Sequence, residues 1–290
     1  MSRDIFYAAP DGLTLYAEDR GPEDAPVAVL CLHGLTRNHK DFGPMINALD
    51  APYRFISPDV RGRGRSQRAS DPATYTPVTY AADMIALIDH LGLSQVALVG
   101  TSMGGLISMI LMRKHAARIA GVVLNDVGPV LEPAGLSRIA NYVGQVAPLD
   151  SWGAAQAAVA AAQSGVYPHY GPEDWAAFAE RTYRETDDGR VILDYDPDIT
   201  RTVGDVKPTW RTRFLMWRLF SSMKARPLLI LRGETSDILS DAVARRMVRR
   251  HPDATYVTVT GVGHAPMLDE PASIQALQAF LARLAGANSA

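Results

Sequence analysis

The sequence has a single cysteine, a net charge close to zero and no long apolar segment, and each of these features argues against a class of protein. Its 290 residues contain one cysteine, Cys31, so no internal disulfide can form. Twenty-nine basic and 31 acidic residues give a net charge of −2, which argues against a nucleic acid or a membrane surface as the main partner. No apolar run approaches the roughly 20 residues of a membrane span. The first residues lack the pattern of a signal peptide, so we expect a cytoplasmic protein.

Strand-like and helix-like segments alternate along much of the chain. Between the strand-like runs, apolar residues recur at helical spacing, as in the segment that follows Thr76 and Pro77, a typical helix start. Alternation of this kind predicts a largely parallel sheet with helices on both faces. Continuous apolar runs or alternating patterns predict strands over residues 13–19, 27–33, 53–59, 95–100, 121–126, 226–233 and 254–261.

The alternation stops near residue 131 and resumes near residue 224. The intervening residues contain several helix-like stretches, all four tryptophans and no strong strand signal. No linker composition flanks them, which disfavours a separate domain. We therefore predict one core domain, residues 1–130 and 224–290, with residues 131–223 as a helical insertion.

A serine stands where the chain must turn most tightly, in the pattern Gly100-Thr101-Ser102-Met103-Gly104. An apolar strand precedes the pattern and an apolar helix follows it, so the serine lies on a sharp strand-to-helix turn. Such a turn exposes the hydroxyl at the carboxyl edge of a parallel sheet, where open α/β sheets bind ligands. The sequence therefore predicts that Ser102 is a catalytic nucleophile.

A serine hydroxyl needs a general base and an orienting carboxylate. Of seven histidines, His264 follows the last predicted strand through a Gly-Val-Gly-His turn, at the sheet edge that carries Ser102. Asp237, in the loop after residues 226–233, is the carboxylate that we favour, and the order Ser102, Asp237, His264 fits this class of hydrolase. Asp126, at the end of another strand, is the alternative.

Two backbone N–H groups are expected to hold the negatively charged oxygen of the reaction intermediate. One belongs to Met103, directly after the nucleophile. The other belongs to the turn after the strand at residues 27–33, where Leu35 is the best placed residue. Each donor of this kind is typically worth about 2.7–4 kcal/mol of barrier.

Taken in order along the chain, five motifs resemble the α/β-hydrolase family. The resemblance covers nearly the whole chain and implies an eight-stranded, mostly parallel sheet flanked by helices, with a helical lid inserted after the sixth strand. It also implies that the reaction needs no cofactor and no metal. The motifs are LHGL at 32–35, DVRGRGRS at 59–66, GTSMGG at 100–105, RGETSD at 232–237 and GVGHAPMLDEP at 261–271.

A serine nucleophile narrows the chemistry, because members of the family that cleave haloalkanes or epoxides carry aspartate there. We expect hydrolysis of a carboxylic ester or lactone of a small to medium, largely apolar substrate through an acyl-enzyme on Ser102. Carbon–carbon bond hydrolases of the family are an alternative, although they typically follow the catalytic histidine with tryptophan, and here Ala265 and Pro266 follow. A slow ligand sensor and a cofactor-free oxygenase are further alternatives. The sequence does not indicate the oligomeric state.

Overall fold

The structure, a computed structural model, describes residues 2–49, 52–144, 147–202 and 209–288. The strands in these residues are β1 (Ser2–Ala8), β2 (Thr14–Arg20), β3 (Ala28–Leu32), β4 (Arg54–Asp59), β5 (Val96–Thr101), β6 (Ile119–Asn125), β7 (Tyr183–Glu185), β8 (Val191–Leu193), β9 (Leu228–Gly233) and β10 (Ala254–Val259). The helices are α1 (Gly43–Ala48), α2 (Pro77–His90), α3 (Met103–His115), α4 (Pro133–Tyr142), α5 (Trp152–Gln163), α6 (Pro172–Thr182), α7 (Trp210–Ser221), α8 (Asp241–Arg250) and α9 (Pro271–Asn288).

The main sheet has eight strands, in the order β1-β2-β4-β3-β5-β6-β9-β10. Strands β1, β2 and β4 pair antiparallel, and every other neighbouring pair is parallel. The prediction of an eight-stranded, mostly parallel sheet flanked by helices is therefore confirmed. Its parallel part brings the carboxyl ends of β3, β5, β6, β9 and β10 to one edge.

The central strands are buried on both faces because their residues are apolar without interruption. On one face they pack against α2 and α3, which supply buried residues such as Met84 and Ile107. On the other face they pack against α1 and α9, which supply Met45 and Leu281. Among the described residues, no helix is both long and apolar enough to cross a membrane. The two apolar layers hold the strand ends in fixed relative positions.

Strand β1 was not predicted from the pattern, although the family resemblance requires an eighth strand. It is an edge strand, in which burial alternates and Phe6 is exposed. Between β6 and β9 the chain forms α4–α7, but also β7 and β8, a two-stranded antiparallel sheet that the sequence did not indicate. Each of these strands is three residues long, too short for a periodic signal. Residues 145–146 and 203–208 of the predicted insertion lie outside the described residues.

Candidate active site

Ser102 lies in a backbone conformation that the surrounding glycines make possible. It joins β5 to α3 with φ 52° and ψ −110°, in the half of conformational space that side chains disfavour. Its N–H donates to the carbonyl of Asn125 at 3.0 Å. A Cβ at Gly104 would lie 2.0 Å from the Leu32 carbonyl oxygen, and one at Gly100 would lie 2.6 Å from the Gly104 carbonyl carbon. Both positions therefore require glycine, and the turn is as tight as the sequence predicts.

The side chains of Ser102, His264 and Asp126 form one hydrogen-bonded chain. Ser102 Oγ lies 2.9 Å from His264 Nε2. His264 Nδ1 lies 2.8 Å from Asp126 Oδ2. With the proton on Nδ1, the ring donates to the carboxylate and accepts from the hydroxyl, the tautomer that a general base needs. The structure therefore brings Ser102 and His264 together, at the sheet edge where the sequence locates them.

Asp126 reaches His264 because it directly follows β6, the strand beside the one that carries Ser102. Its φ is 56°, and its N–H donates to the Leu231 carbonyl at 2.8 Å. Its Oδ1 accepts the Gly233 N–H at 3.2 Å, which leaves Oδ2 directed at the imidazole. The carboxylate is fully buried. Its position and direction are thus set by the neighbouring strand β9.

The structure contradicts the prediction that Asp237 orients the base. Its carboxylate accepts from Arg138 Nε at 2.7 Å and from Nη2 at 2.9 Å, and this hydrogen-bonded cation holds the pKa of Asp237 below its ordinary value. The Asp237 carbonyl also accepts the Gly135 N–H at 3.1 Å. Helix α4 therefore fixes this loop through both its backbone and its side chain. Asp126, the alternative carboxylate, occupies the place beside His264.

The loop that carries His264 is held by two side chains that the sequence gave no reason to select. Asn125 Nδ2 donates to the Pro266 carbonyl at 2.8 Å. The Tyr167 hydroxyl donates to the Ala265 carbonyl at 2.7 Å. Both contacts join residues far apart in the chain, and an isolated Asn or Tyr carries no local pattern that would reveal them. Together they fix the two residues that follow the histidine.

The two residues predicted to hold the oxyanion come after the neighbouring strands β3 and β5. Leu35 follows β3 and Met103 begins α3, and neither N–H donates to another group in the part of the chain that the structure describes. The His33 ring fixes the first turn by donating from Nδ1 to the Gly34 carbonyl at 2.7 Å and accepting the Val60 N–H at 3.1 Å. Burial lowers the pKa of His33 to about 4, so the ring is neutral at ordinary pH.

A cavity of about 440 Å³ opens beside the hydrogen-bonded chain, and both Ser102 and His264 line it. Its size is within the usual range for small-molecule sites. None of the four tryptophans is among the residues that line it. In the described residues, no group of three His, Cys, Asp or Glu side chains is arranged to hold a metal ion. The apolar part of the lining includes Leu35, Ile139, Val159, Phe178, Leu193 and Tyr195.

Comparison with known families agrees with this fold. Residues 27–271 match the family model that is described as the alpha/beta hydrolase fold. The chain belongs to the α/β-hydrolase family. The hydrogen-bonded chain of Ser102, His264 and Asp126 thus lies at the carboxyl edge of the sheet of an α/β hydrolase.

Two relatives and one solved structure show how far the similarity extends. The 3-hydroxybutyrate-oligomer hydrolase of Cupriavidus necator is 35% identical over 274 residues, which cover 92% of each chain. The 2-(acetamidomethylene)succinate hydrolase of Mesorhizobium japonicum is 29% identical over 257 residues, which cover 87% of this chain and 85% of the relative. The crystal structure of an alpha/beta hydrolase from Novosphingobium aromaticivorans is 41% identical, with a TM-score of 0.88 over 98% of both chains. These similarities make the chain a member of a family of hydrolytic enzymes.

Proposed function

We propose that this α/β hydrolase cleaves carboxylic esters through an acyl-enzyme on Ser102. The observation that carries the proposal is the continuous contact from Ser102 Oγ to His264 Nε2, at 2.9 Å, and from His264 Nδ1 to Asp126 Oδ2, at 2.8 Å. Nucleophile, base and orienting carboxylate at hydrogen-bond distance are the arrangement that activates a serine hydroxyl. Asp126 replaces Asp237 in this proposal.

The proposed reaction has two steps that use the same groups. Ser102 Oγ bonds to the ester carbonyl carbon while His264 takes the hydroxyl proton, and Asp126 stabilises the imidazolium that forms. His264 returns the proton to the leaving alcohol, and the acyl group stays on the serine. A water molecule then attacks the acyl-enzyme while His264 takes its proton; the bond to Ser102 Oγ breaks, the carboxylic acid leaves and His264 returns the proton to Ser102. The N–H groups of Leu35 and Met103 hold the oxyanion in both steps.

We propose short oligomeric esters of hydroxy acids as the substrate class. The similarity to the 3-hydroxybutyrate-oligomer hydrolase, which extends over 92% of both chains, supports this class. The cavity supports it as well, because a largely apolar lining beside Ser102 suits the methyl-bearing backbone of such an oligomer. Cleavage of an ester bond is what distinguishes this proposal from the alternative, cleavage of a carbon–carbon bond.

We also propose that residues 131–223 act as the lid of the site. Ile139 of α4, Val159 of α5 and Phe178 of α6 line the cavity together with core residues of the strand ends. Since Ile139, Val159 and Phe178 have no hydrogen bond to Ser102, His264 or Asp126, substitutions at these three residues would alter the cavity without breaking the hydrogen-bonded chain. The lid would then set which acyl groups are accepted.

Hydrolysis of 3-hydroxybutyrate dimer and trimer tests the function, and Ser102→Ala is the decisive variant. We expect steady turnover by the wild type, a loss of kcat on the order of 10⁴-fold or more in the variant, and an acylated Ser102 peptide by mass spectrometry after rapid quenching. Ser94→Ala, at an exposed serine, is the matched control and should keep full activity.

Two results would count against the proposal. Equal turnover by Ser102→Ala would exclude Ser102 as the nucleophile. A single acylation that then stalls would indicate a ligand sensor instead of an ester hydrolase.

A further inference from the structure

Arg63 is a buried cation without a buried anion. Its side chain is 1% exposed, and no carboxylate in the described residues lies within the 4.0 Å of an ion pair with it. Arg61, two residues earlier, shows the ordinary arrangement, since its guanidinium pairs with Asp83 at 2.6 Å and Asp11 at 2.7 Å. Burying an unpaired charge costs free energy that the surrounding groups must offset. The neighbours of Arg63 should therefore indicate what the charge does.

All the hydrogen-bond partners of the Arg63 guanidinium are neutral. Nε donates to the Leu35 carbonyl at 3.0 Å. Nη1 donates to the Arg61 carbonyl at 2.8 Å and to the Tyr80 hydroxyl at 3.0 Å. Nη2 lies 3.7 Å from the Met103 sulfur. Leu35 and Met103 are the two residues whose N–H groups are proposed to hold the oxyanion, and the guanidinium contacts the backbone of the first and the side chain of the second.

The Leu35 N–H shares a peptide unit with the Gly34 carbonyl, which accepts from His33 Nδ1 at 2.7 Å and from the Arg37 N–H at 3.2 Å. The contact with Arg63 holds the next peptide unit, which begins with the Leu35 carbonyl. Rotation of the Leu35 N–H would break the hydrogen bonds to the Gly34 carbonyl, and Arg63 restrains Leu35 from its other side. A donor held in this way stabilises negative charge without reorganising during the reaction.

We propose that Arg63 is a positioning residue for the oxyanion hole of this enzyme. The inference rests on the proposed function, because it assumes that a tetrahedral oxyanion forms beside Leu35 and Met103. Arg63 is not among the residues that line the cavity, so it acts through these two residues and not on the substrate. Its positive charge, which pairs with no carboxylate within 4.0 Å in the described residues, also favours the developing negative charge.

Arg63→Met tests the inference, because methionine keeps an unbranched side chain but lacks the N–H donors and the positive charge of the guanidinium. We expect kcat per active site to fall by about 10-fold to 100-fold, with KM changed by less than about threefold. Affinity for butylboronic acid should fall by the same factor as kcat/KM. In that complex the Ser102 oxygen bonds to boron, which becomes a tetrahedral anion while His264 takes the proton.

Arg65→Met is the matched control in the same motif. Arg65 is 46% exposed and pairs with Asp4 at 2.7 Å, away from the oxyanion turn. It should keep the kcat and the boronate affinity of the wild type. Active sites are counted by the burst of a chromogenic ester, so that a loss of folded protein is not read as a loss of kcat.

A purely structural Arg63 would lower the number of active sites and leave kcat per site and boronate affinity unchanged, which would overturn the inference. If Arg63→Met does not fold, Arg63→Lys decides. Lysine keeps the charge but reaches fewer acceptors, so kcat per site should fall by a smaller factor, and an unchanged value would again overturn the inference. Failure of the proposed function can be distinguished from failure of the inference about Arg63. In the first case the wild-type protein itself would show neither a burst nor boronate inhibition.

Discussion

The ends of β6 and β9 offer two aspartates at the same edge of the same sheet, and the structure uses them differently. Asp126 follows β6 directly, is fully buried and faces His264 at 2.8 Å. Asp237 lies four residues beyond the end of β9, with its side chain 32% exposed, and faces Arg138 at 2.7 Å. The comparison shows that the strand before an aspartate determines the sheet edge at which its carboxylate lies. The residues packed around the aspartate then determine which side chain the carboxylate contacts.

The difference follows from how each backbone is held. Asp126 is bound to β9, through the Leu231 carbonyl and the Gly233 N–H, so it belongs to the rigid core. The loop of Asp237 is bound to α4, where the Glu132 N–H also donates to the Ile238 carbonyl at 2.9 Å. Asp126 therefore orients a catalytic base in our account, and Asp237 attaches the proposed lid to the core.

Among the substitutions that test this comparison, Asp126→Asn should have the largest effect on kcat. Its amide would favour the wrong tautomer of His264 and would not stabilise the imidazolium, so we expect kcat to fall on the order of 10⁴-fold. Steady-state kinetics with 3-hydroxybutyrate dimer measures the loss, and thermal unfolding checks that the variant is folded. A folded variant that keeps more than about a tenth of the wild-type kcat would assign the orienting role to another group.

Asp237→Asn is the matched substitution at the other strand end, and its effect on catalysis should be small. Since Asp237 does not contact His264, we expect kcat to fall less than about tenfold, a barrier change below about 1.4 kcal/mol. KM is the parameter expected to change, because the loop anchors α4 and Ile139 of that helix lines the cavity. If instead kcat collapsed as in Asp126→Asn, the two aspartates would have to exchange their roles.

The smallest expected effect is on stability and depends on pH. Arg138 lowers the pKa of Asp237, so their pairing stabilises the fold above the ordinary value of 3.8 and ceases to do so as the pH falls through the lowered pKa. Arg138→Met should reduce the free energy of unfolding at about pH 6 by the roughly 0.2–1 kcal/mol of a partly exposed pair. At about pH 3 the reduction should shrink.

Urea denaturation at both pH values, in a double-mutant cycle with Asp237→Asn, isolates the pair. A coupling of equal size at the two pH values would mean that the carboxylate charge is not what stabilises this contact.

Much of the site could be predicted because local patterns determine it. The tight turn at Ser102 needs glycine at positions 100 and 104, where a Cβ would overlap the backbone. The histidine after the last strand of a parallel sheet must emerge at the same edge. Both inferences depend on short-range geometry and on the period of the strands.

The orienting carboxylate could not be predicted in the same way, because its choice depends on contacts between distant segments. Arg138 lies 99 residues from Asp237 in the chain, and no local pattern indicates that they pair. The left-handed conformation of Asp126 likewise results from hydrogen bonds to β9. The burial of Arg63 could not be predicted for the same reason, because four arginines within residues 61–68 are a pattern typical of a solvent-exposed cluster.

The central claim is that Asp126, and not Asp237, accepts the Nδ1 proton of His264. Proton NMR of protein labelled with ¹⁵N-histidine observes this proton directly, as a downfield signal coupled to Nδ1 of His264. Our account predicts that the signal persists in Asp237→Asn and disappears or moves far upfield in Asp126→Asn. Loss of the signal in Asp237→Asn with its persistence in Asp126→Asn would contradict the account.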